Sequence, residues 1–209
     1  MKVGLEFISI NKFISTIIRK KLTTAMKFNV GPPESLPPVS LSTTNKSRLL
    51  YIHVPFCEKL CSYCSFHRVL LNKDLAHDYF NALRCEMRLY KKMGYDFNGI
   101  YIGGGTPTIM IDELAETINT AKKYFKINDI SVETNPGHLT REKISILKNI
   151  GIKRLSVGVQ TFDRSLLIAT NRYDPYCTEK EIISRLKKLA GEFNTLNVDM
   201  MFNFPAQTA

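Results

Sequence analysis

RLLYIHVPFCEKLCSYC, residues 48–64, carries two signals in direct succession. Its first seven residues form a short apolar run with β-branched and aromatic members, which reads as a buried strand. Pro55 ends the run, and Cys57, Cys61 and Cys64 follow at once in a C-x3-C-x2-C spacing. In parallel α/β sheets ligands collect just past the C-terminal ends of the strands. A strand that runs straight into a loop of thiols fits that rule, and the rule predicts further functional residues after each later strand.

The chain downstream of residue 64 repeats a strand–helix rhythm. Asn72 or Asp74 can cap a helix over residues 73–93, with Leu75, Tyr79, Leu83, Met87 and Tyr90 as its apolar stripe and Gly94 in the C′ position. Residues 99–102 read as a second strand, ending in Gly103, Gly104 and Gly105. Asp112 starts a second helix with Leu114, Ile118, Ala121 and Phe125 on one face, and residues 129–134 form a third strand. Thr140 caps a third helix that stops at Gly151, and residues 154–160 form a fourth strand. A short helical piece near 163–170 precedes a helix to about Ala190, whose start is marked by Thr178 and Glu181 as a capping box. Residues 196–202 are the fifth strand. Alternating strands and helices imply βα units around a parallel sheet. The expected fold is therefore α/β, a partial (β/α) barrel, because five strands are too few to close the eight-stranded form.

Upstream of residue 48 the composition changes. Residues 1–30 are a basic amphipathic segment, in which Glu6, Asn11 and Lys12 break any secretory apolar region. An N-terminal helix is the favoured reading, and an organelle presequence stays open. Residues 31–47 hold four prolines and many Ser/Thr and read as a linker, which leaves 48–209 as the core domain. The 209 residues carry 29 Lys/Arg against 19 Asp/Glu, a net charge of +10. Half of that excess lies in residues 1–47, so the core is only mildly basic and nucleic acid is not an expected partner. With 44% apolar and 23% charged residues, disordered and fibrous classes are excluded. No run reaches the roughly 20 apolar residues of a membrane span. Five cysteines, three of them clustered, fit a reducing compartment and a metal site better than a disulfide framework, and cytoplasm is the expected location. Cys85 and Cys177, outside the cluster, are read as structural, and His67 and His138 are assigned no role.

Three thiolates on one tight loop can hold three corners of a cubane iron–sulfur cluster and leave the fourth iron open to a chelating ligand. The alternatives are a zinc site completed by His53 or His67, and chance clustering of buried cysteines. Zinc sites prefer paired C-x2-C units, and only one is present. The Gly103–Thr108 segment, GGGTPT, lets a ligand approach the backbone, a weak signal alone but one placed at the same expected sheet end.

The ordered set YIHVPFC (51–57), C-x3-C-x2-C, GGGTPT, VETNPG (132–137), GVQ (158–160) and NVD (197–199) resembles radical S-adenosylmethionine enzymes of the oxygen-independent coproporphyrinogen III oxidase family. That family includes haem chaperones and class C radical methyltransferases. The resemblance covers about residues 48–208. It implies that Cys57, Cys61 and Cys64 bind a [4Fe–4S] cluster whose open iron chelates S-adenosylmethionine. It implies that Tyr51, Tyr63, Gly104 and Glu133 surround that molecule, and that Gly105, Thr106, Gln160, Arg172 and Asp199 surround a second one. The bland alternatives are a core tyrosine for Tyr51 and a solvated charge for Arg172. For Glu133 and Asp199, a carboxylate at the end of an apolar strand needs a partner there. The implied chemistry is one-electron cleavage to methionine and a 5′-deoxyadenosyl radical, acting on a porphyrin-like or heteroaromatic substrate, with a flavodoxin-type electron donor. No catalytic side chain is assigned beyond these binding residues.

Three departures mark this chain. Phe66 stands where the oxidase has a fourth cysteine, as in the chaperone and methyltransferase branches. The family's GLPGQT is replaced by Asn203 to Thr208, NFPAQT. The chain ends soon after the fifth strand, which suggests truncation there and a strand with an unpaired edge. The functional expectations are thus a radical enzyme or, alternatively, a haem chaperone or a class C methyltransferase.

Overall fold

The computed structural model of the chain describes residues 48–173, 177–204 and 207. The N-terminal segment 1–30 and the linker 31–47 lie outside the described residues. Five strands form one sheet: β1 (Leu49–Val54), β4 (Gly99–Gly104), β5 (Asp129–Thr134), β6 (Arg154–Gln160) and β7 (Thr195–Met200). They pair in that order, every pair parallel. Two short strands, β2 (Phe56–Cys57) and β3 (Val69–Leu70), make a separate parallel pair. The helices are α1 (Lys73–Lys92), α2 (Ile111–Tyr124), α3 (Arg141–Asn149), α4 (Arg164–Ala169) and α5 (Glu179–Leu189). Strand order that follows chain order, with helices in every crossover, is the expected partial barrel of α/β class. Among the described residues β7 pairs with β6 alone.

The helix ends follow local chemistry. Of the two candidate caps for α1, Asn72 is the one used: its side chain accepts a hydrogen bond from the Leu75 backbone N–H at 3.0 Å. Gly94 follows with φ +82°, the left-handed conformation that favours glycine after a helix. Thr140 caps α3, Asp163 caps α4, and Thr178 with Glu181 forms the complete capping box of α5. Asp112 does not cap α2. That helix begins at Ile111, fed by a 3₁₀ turn over Pro107–Met110, and Asp112 lies in its first turn.

The α1 stripe differs from its sequence reading at the start. Ala76, Phe80 and Met87 are buried, whereas Leu75 is exposed. Steps of four residues overshoot a helical turn by about 40° each, so the row Leu75–Tyr79–Leu83–Met87 drifts off one face. Mixed steps of four and three through Ala76, Phe80, Leu83 and Met87 stay on it. Cys85 is exposed on α1, so it is not a core residue; Cys177 is buried.

Alternation along the strands divides the sheet into two unlike faces. Leu50, Ile52, Val54, Ile100, Ile102, Ile130, Val132, Leu155, Val157 and Val159 are all buried under the helices. Each such side chain contributes roughly 1.5–3 kcal/mol by leaving water. The alternate residues on the other face are Tyr51 and His53 in β1, Tyr101 in β4, Ser131 and Glu133 in β5, Arg154 and Ser156 in β6, and Asn197 and Asp199 in β7. A fully packed barrel fills this face with branched apolar residues. Here it is polar.

Candidate cluster and ligand site on the inner face

The polar face bounds a cavity of about 530 Å³ at the C-terminal ends of the strands. Cys57, Cys61 and Cys64 line it together with Gly104, Gly105 and Thr106 of the glycine turn, so the two loops share one end of the sheet, as expected.

The cysteine loop is pinned at its base by backbone. The Val69 N–H donates to the Pro55 carbonyl at 2.8 Å, and the Leu71 N–H to the Cys57 carbonyl at 2.9 Å. These bonds create the β2–β3 pair, a closure too short to show as a periodic pattern. Across the cavity, the Gly105 N–H donates to Val54 and the Thr106 N–H to Phe56, at 2.7 and 2.8 Å. The glycine turn is thereby laced to the strand that leads into the cysteines. Arg68 donates from Nη2 to the Cys61 carbonyl at 2.6 Å.

All three cysteines are free thiols, two of them buried and Cys64 half-buried. Donors already point at their sulfurs. Thr106 Oγ1 lies 3.8 Å from Cys57 Sγ, and Arg172 Nη1 lies 3.3 Å from Cys61 Sγ. Burial pushes the Cys57 thiol up, with the Thr106 hydroxyl and the Arg68 charge pulling the other way. Hydrogen bonds to sulfur and neighbouring cations are what a thiolate-held cluster needs. The donor set therefore fits a cubane cluster. Zinc, the alternative, finds less support. No three His, Cys, Asp or Glu side chains among the described residues converge on a single ion. Both ring nitrogens of His53 are also engaged, Nδ1 with Tyr51 Oη at 3.1 Å and Nε2 with the His67 carbonyl at 2.9 Å. A cubane spreads its thiolates over separate irons, so it does not demand convergence on one point.

Glu133 stands at the end of β5. Tyr101 Oη donates to its Oε1 at 2.6 Å and the Gly104 N–H to its Oε2 at 3.2 Å. A side chain at Gly103 would place its Cβ 2.8 Å from that carboxylate and push it aside, so glycine here leaves Glu133 in its present position. Burial first, and then the Glu133 carboxylate, pushes the Tyr101 hydroxyl well above its usual range, keeping it a donor. Opposite, Asp199 accepts from Ser156 Oγ at 3.0 Å and from Asn197 Nδ2 at 2.5 Å. Gln160 lines the same cavity where β6 bulges against β7; its φ is +74°, a strained value for a side-chain-bearing residue.

Arg172 is not a solvated charge. It is buried, and besides Cys61 it reaches Tyr63 Oη at 3.4 Å and the Gly158 carbonyl. Burial pushes the Tyr63 hydroxyl up to about 12, against the pull of Arg172. The structure thus brings Tyr63, Gly104, Gly105, Thr106, Glu133, Gln160, Arg172 and Asp199 to the cavity that the cysteines line. Tyr51 is apart from them. It is half-exposed on the same face and stacks on Tyr101 with ring centroids 6.0 Å apart, reaching the site through that neighbour. Phe66 lies at the cavity rim with 70% of its surface exposed. Tyr101, Arg68, Ser156 and Asn197 were not assigned from the sequence. Strict alternation applied to all five strands at once marks three of them as inward-facing polar residues.

A parallel sheet whose inner face holds three cysteines, a glycine turn and two fixed carboxylates defines a class, and the chain belongs to it. The family described as Radical SAM superfamily matches residues 51–209. Over 165 residues the chain is 38% identical to the haem chaperone HemW of Bacillus subtilis (strain 168), covering 76% of this chain and 43% of that protein. Over 172 residues it is 33% identical to the oxygen-independent coproporphyrinogen III oxidase of Bradyrhizobium diazoefficiens, covering 78% and 37%. The solved structure of the coproporphyrinogen III oxidase HemN from Escherichia coli matches with TM-score 0.69 and 28% identity over 78% of this chain and 39% of that one. The chain therefore spans about two-fifths of the length of these relatives. No helix among the described residues is long and apolar enough to cross a membrane.

Proposed function

We propose that the chain carries the cluster- and cofactor-binding half of a radical S-adenosylmethionine protein that acts on a porphyrin-like or heteroaromatic molecule. The observation that supports this most directly is the joining of three free thiols, their sulfur-directed donors and the held carboxylate of Glu133 around one cavity. Cys57, Cys61 and Cys64 would hold the [4Fe–4S] cluster. When bound, cluster and S-adenosylmethionine supply one-electron cleavage of a carbon–sulfur bond, with methionine as the other product. The protein's part is orientation. Glu133 has lone pairs left for a ligand hydroxyl after its bonds to Tyr101 and Gly104. Asp199, held by Ser156 and Asn197, offers a second acceptor, and Gln160 a donor. Thr106 and Arg172 direct hydrogen bonds at the sulfurs. A flavodoxin-type protein is the proposed source of the electron.

Haem delivery is the second reading. Phe66, a feature that a class C methyltransferase shares, favours it over the oxidase, because the family's oxidase branch has a fourth cysteine at that place. The test is anaerobic reconstitution followed by dithionite and S-adenosylmethionine. The expected result is about four irons per chain and slow release of 5′-deoxyadenosine. Replacing Cys57, Cys61 or Cys64 by Ala abolishes both, while Cys85→Ala and Cys177→Ala abolish neither. A loaded cluster with tight haem binding and no 5′-deoxyadenosine favours the chaperone. Stoichiometric zinc without iron uptake refutes both readings.

A further inference from the structure

A buried polar network lies behind the site, and none of the roles above uses it. Thr108 is fully buried, and its Oγ1 lies 2.7 Å from both Thr134 Oγ1 and His138 Nδ1. The other ring nitrogen, His138 Nε2, lies 3.1 Å from Glu58 Oε1. Lys143 closes the group by donating from Nζ to the Thr108 carbonyl at 2.8 Å. His138 itself is only 4% exposed, held on the 3₁₀ turn Pro136–His138 by its N–H bond to the Asn135 carbonyl.

The donors in this chain run one way. Glu58 is a carboxylate and accepts, so Nε2 carries the proton and Nδ1 is an acceptor. Thr108 then gives its proton to Nδ1 and takes one from Thr134. With that tautomer every member is satisfied, and one imidazole joins three places: the end of β5, the turn after β4, and the residue directly after Cys57. The same turn holds Cys57 from the other side, through the Thr106 Oγ1 contact to its sulfur. Cys57 therefore sits between two braces that share one piece of backbone.

We propose that His138 is a positioning residue for the cysteine loop, acting through Glu58 to fix Cys57 against the glycine turn. The proposal rests on the reading of the three cysteines as cluster ligands. Nothing in local sequence announces it, since Glu58 and His138 are 80 residues apart. Partners outside the ligand shell typically alter metal affinity about 10- to 100-fold when removed, because they fix ligand orientation. A histidine that only filled the core would influence folding and nothing else.

The test uses the full chain, reconstituted anaerobically, with iron loss to a chelator and the cluster's midpoint potential as readouts. Glu58 is nearly half exposed, with a side chain at 44%, so Glu58→Ala removes the contact without opening the core. Glu58→Gln keeps an acceptor for Nε2. His138→Asn keeps an acceptor toward Thr108 but is too short to reach Glu58, whereas His138→Gln reaches it. The expected result is iron loss about 10-fold faster or more in Glu58→Ala and His138→Asn, with potentials displaced the same way. The two Gln variants stay near the wild type. The double variant Glu58→Ala/His138→Asn loses iron no faster than either single change, because both break one contact. Unchanged iron loss in Glu58→Ala, or effects that multiply in the double variant, overturn the proposal. If His138→Asn does not fold, the Glu58→Ala and Glu58→Gln pair decides it. A wild-type chain that takes up no iron removes the cluster reading and the proposal with it, an outcome distinct from a loaded wild type with indifferent variants.

Discussion

The outer and inner faces of the sheet are built from alternate residues of the same five strands, and they do opposite work. On the outer face Ile52, Ile102, Val132, Leu155 and Val157 are almost wholly buried against helices. On the inner face the register neighbours are Tyr51 with Tyr101, Glu133 with Ser156, Ser156 with Asn197, and Gly158 with Asp199. Exposure of the first set would lose the hydrophobic stabilisation that forms the fold. Burial of the second set in an apolar core would leave polar groups without partners. The lesson is that stability and recognition are separated by a period of two residues, so the inner face is free to carry chemistry that would destabilise an ordinary core.

Ile102→Ala is the strongest challenge to that separation. It should cost about 2–5 kcal/mol in urea unfolding, from lost burial and the cavity left behind. Iron bound per folded molecule should not change. A loss of iron out of proportion to unfolding would show that the faces are coupled. Glu133→Ala tests the other face. Binding of S-adenosylmethionine to the reconstituted chain should weaken by about 1–3 kcal/mol if the carboxylate accepts a ligand hydroxyl. Apoprotein stability and the cluster absorption should be unaltered.

Tyr101→Phe sharpens the same point on a smaller scale. It removes only the donor that orients Glu133, so affinity should fall in the same direction by about 1 kcal/mol or less. No change at all would mean that the Gly104 N–H suffices to hold the carboxylate. The mildest test lies in the outer helical layer, where Glu113 joins α2 to α1 through Arg84 at 2.8 Å and His77 at 2.5 Å. Burial alone would raise its carboxyl, but the hydrogen bonds from Arg84 and His77 outweigh that and hold it below the usual range. A depressed folded-state value means that the stabilisation is present above the unfolded carboxyl range and is lost as pH falls through the folded value. Wild type should therefore exceed Glu113→Gln in stability near neutrality, and the difference should close as pH falls through and below the ordinary carboxyl range. Cluster uptake at neutral pH should be equal in the two proteins.

The readable part of the chain was the part governed by local rules. Strand cores, the caps at Asn72, Thr140 and Thr178, and the glycine after α1 depend on residues a few positions apart. Leu75 was misplaced because a row of four-residue steps drifts around a helix. The β2–β3 pair was missed because a two-residue strand has no period. Tyr101 and Ser156 were missed for a different reason: each looks like an ordinary strand residue until its neighbour on the next strand is known.

By itself the amino-acid sequence determined the order of the five sheet strands and the helices between them, the class of fold, and the place of the thiol loop just after the first strand, because periodicity, capping and spacing act along the chain. The tertiary structure alone decided that Arg172 is buried against Cys61, that Tyr101 aims Glu133, that Tyr51 stands one residue away from the cavity, and that His138 meets Glu58. Those contacts join segments about 30 to 110 residues apart in the chain, and only the parallel register of the sheet, set by burial of its outer face, brings them within hydrogen-bond reach.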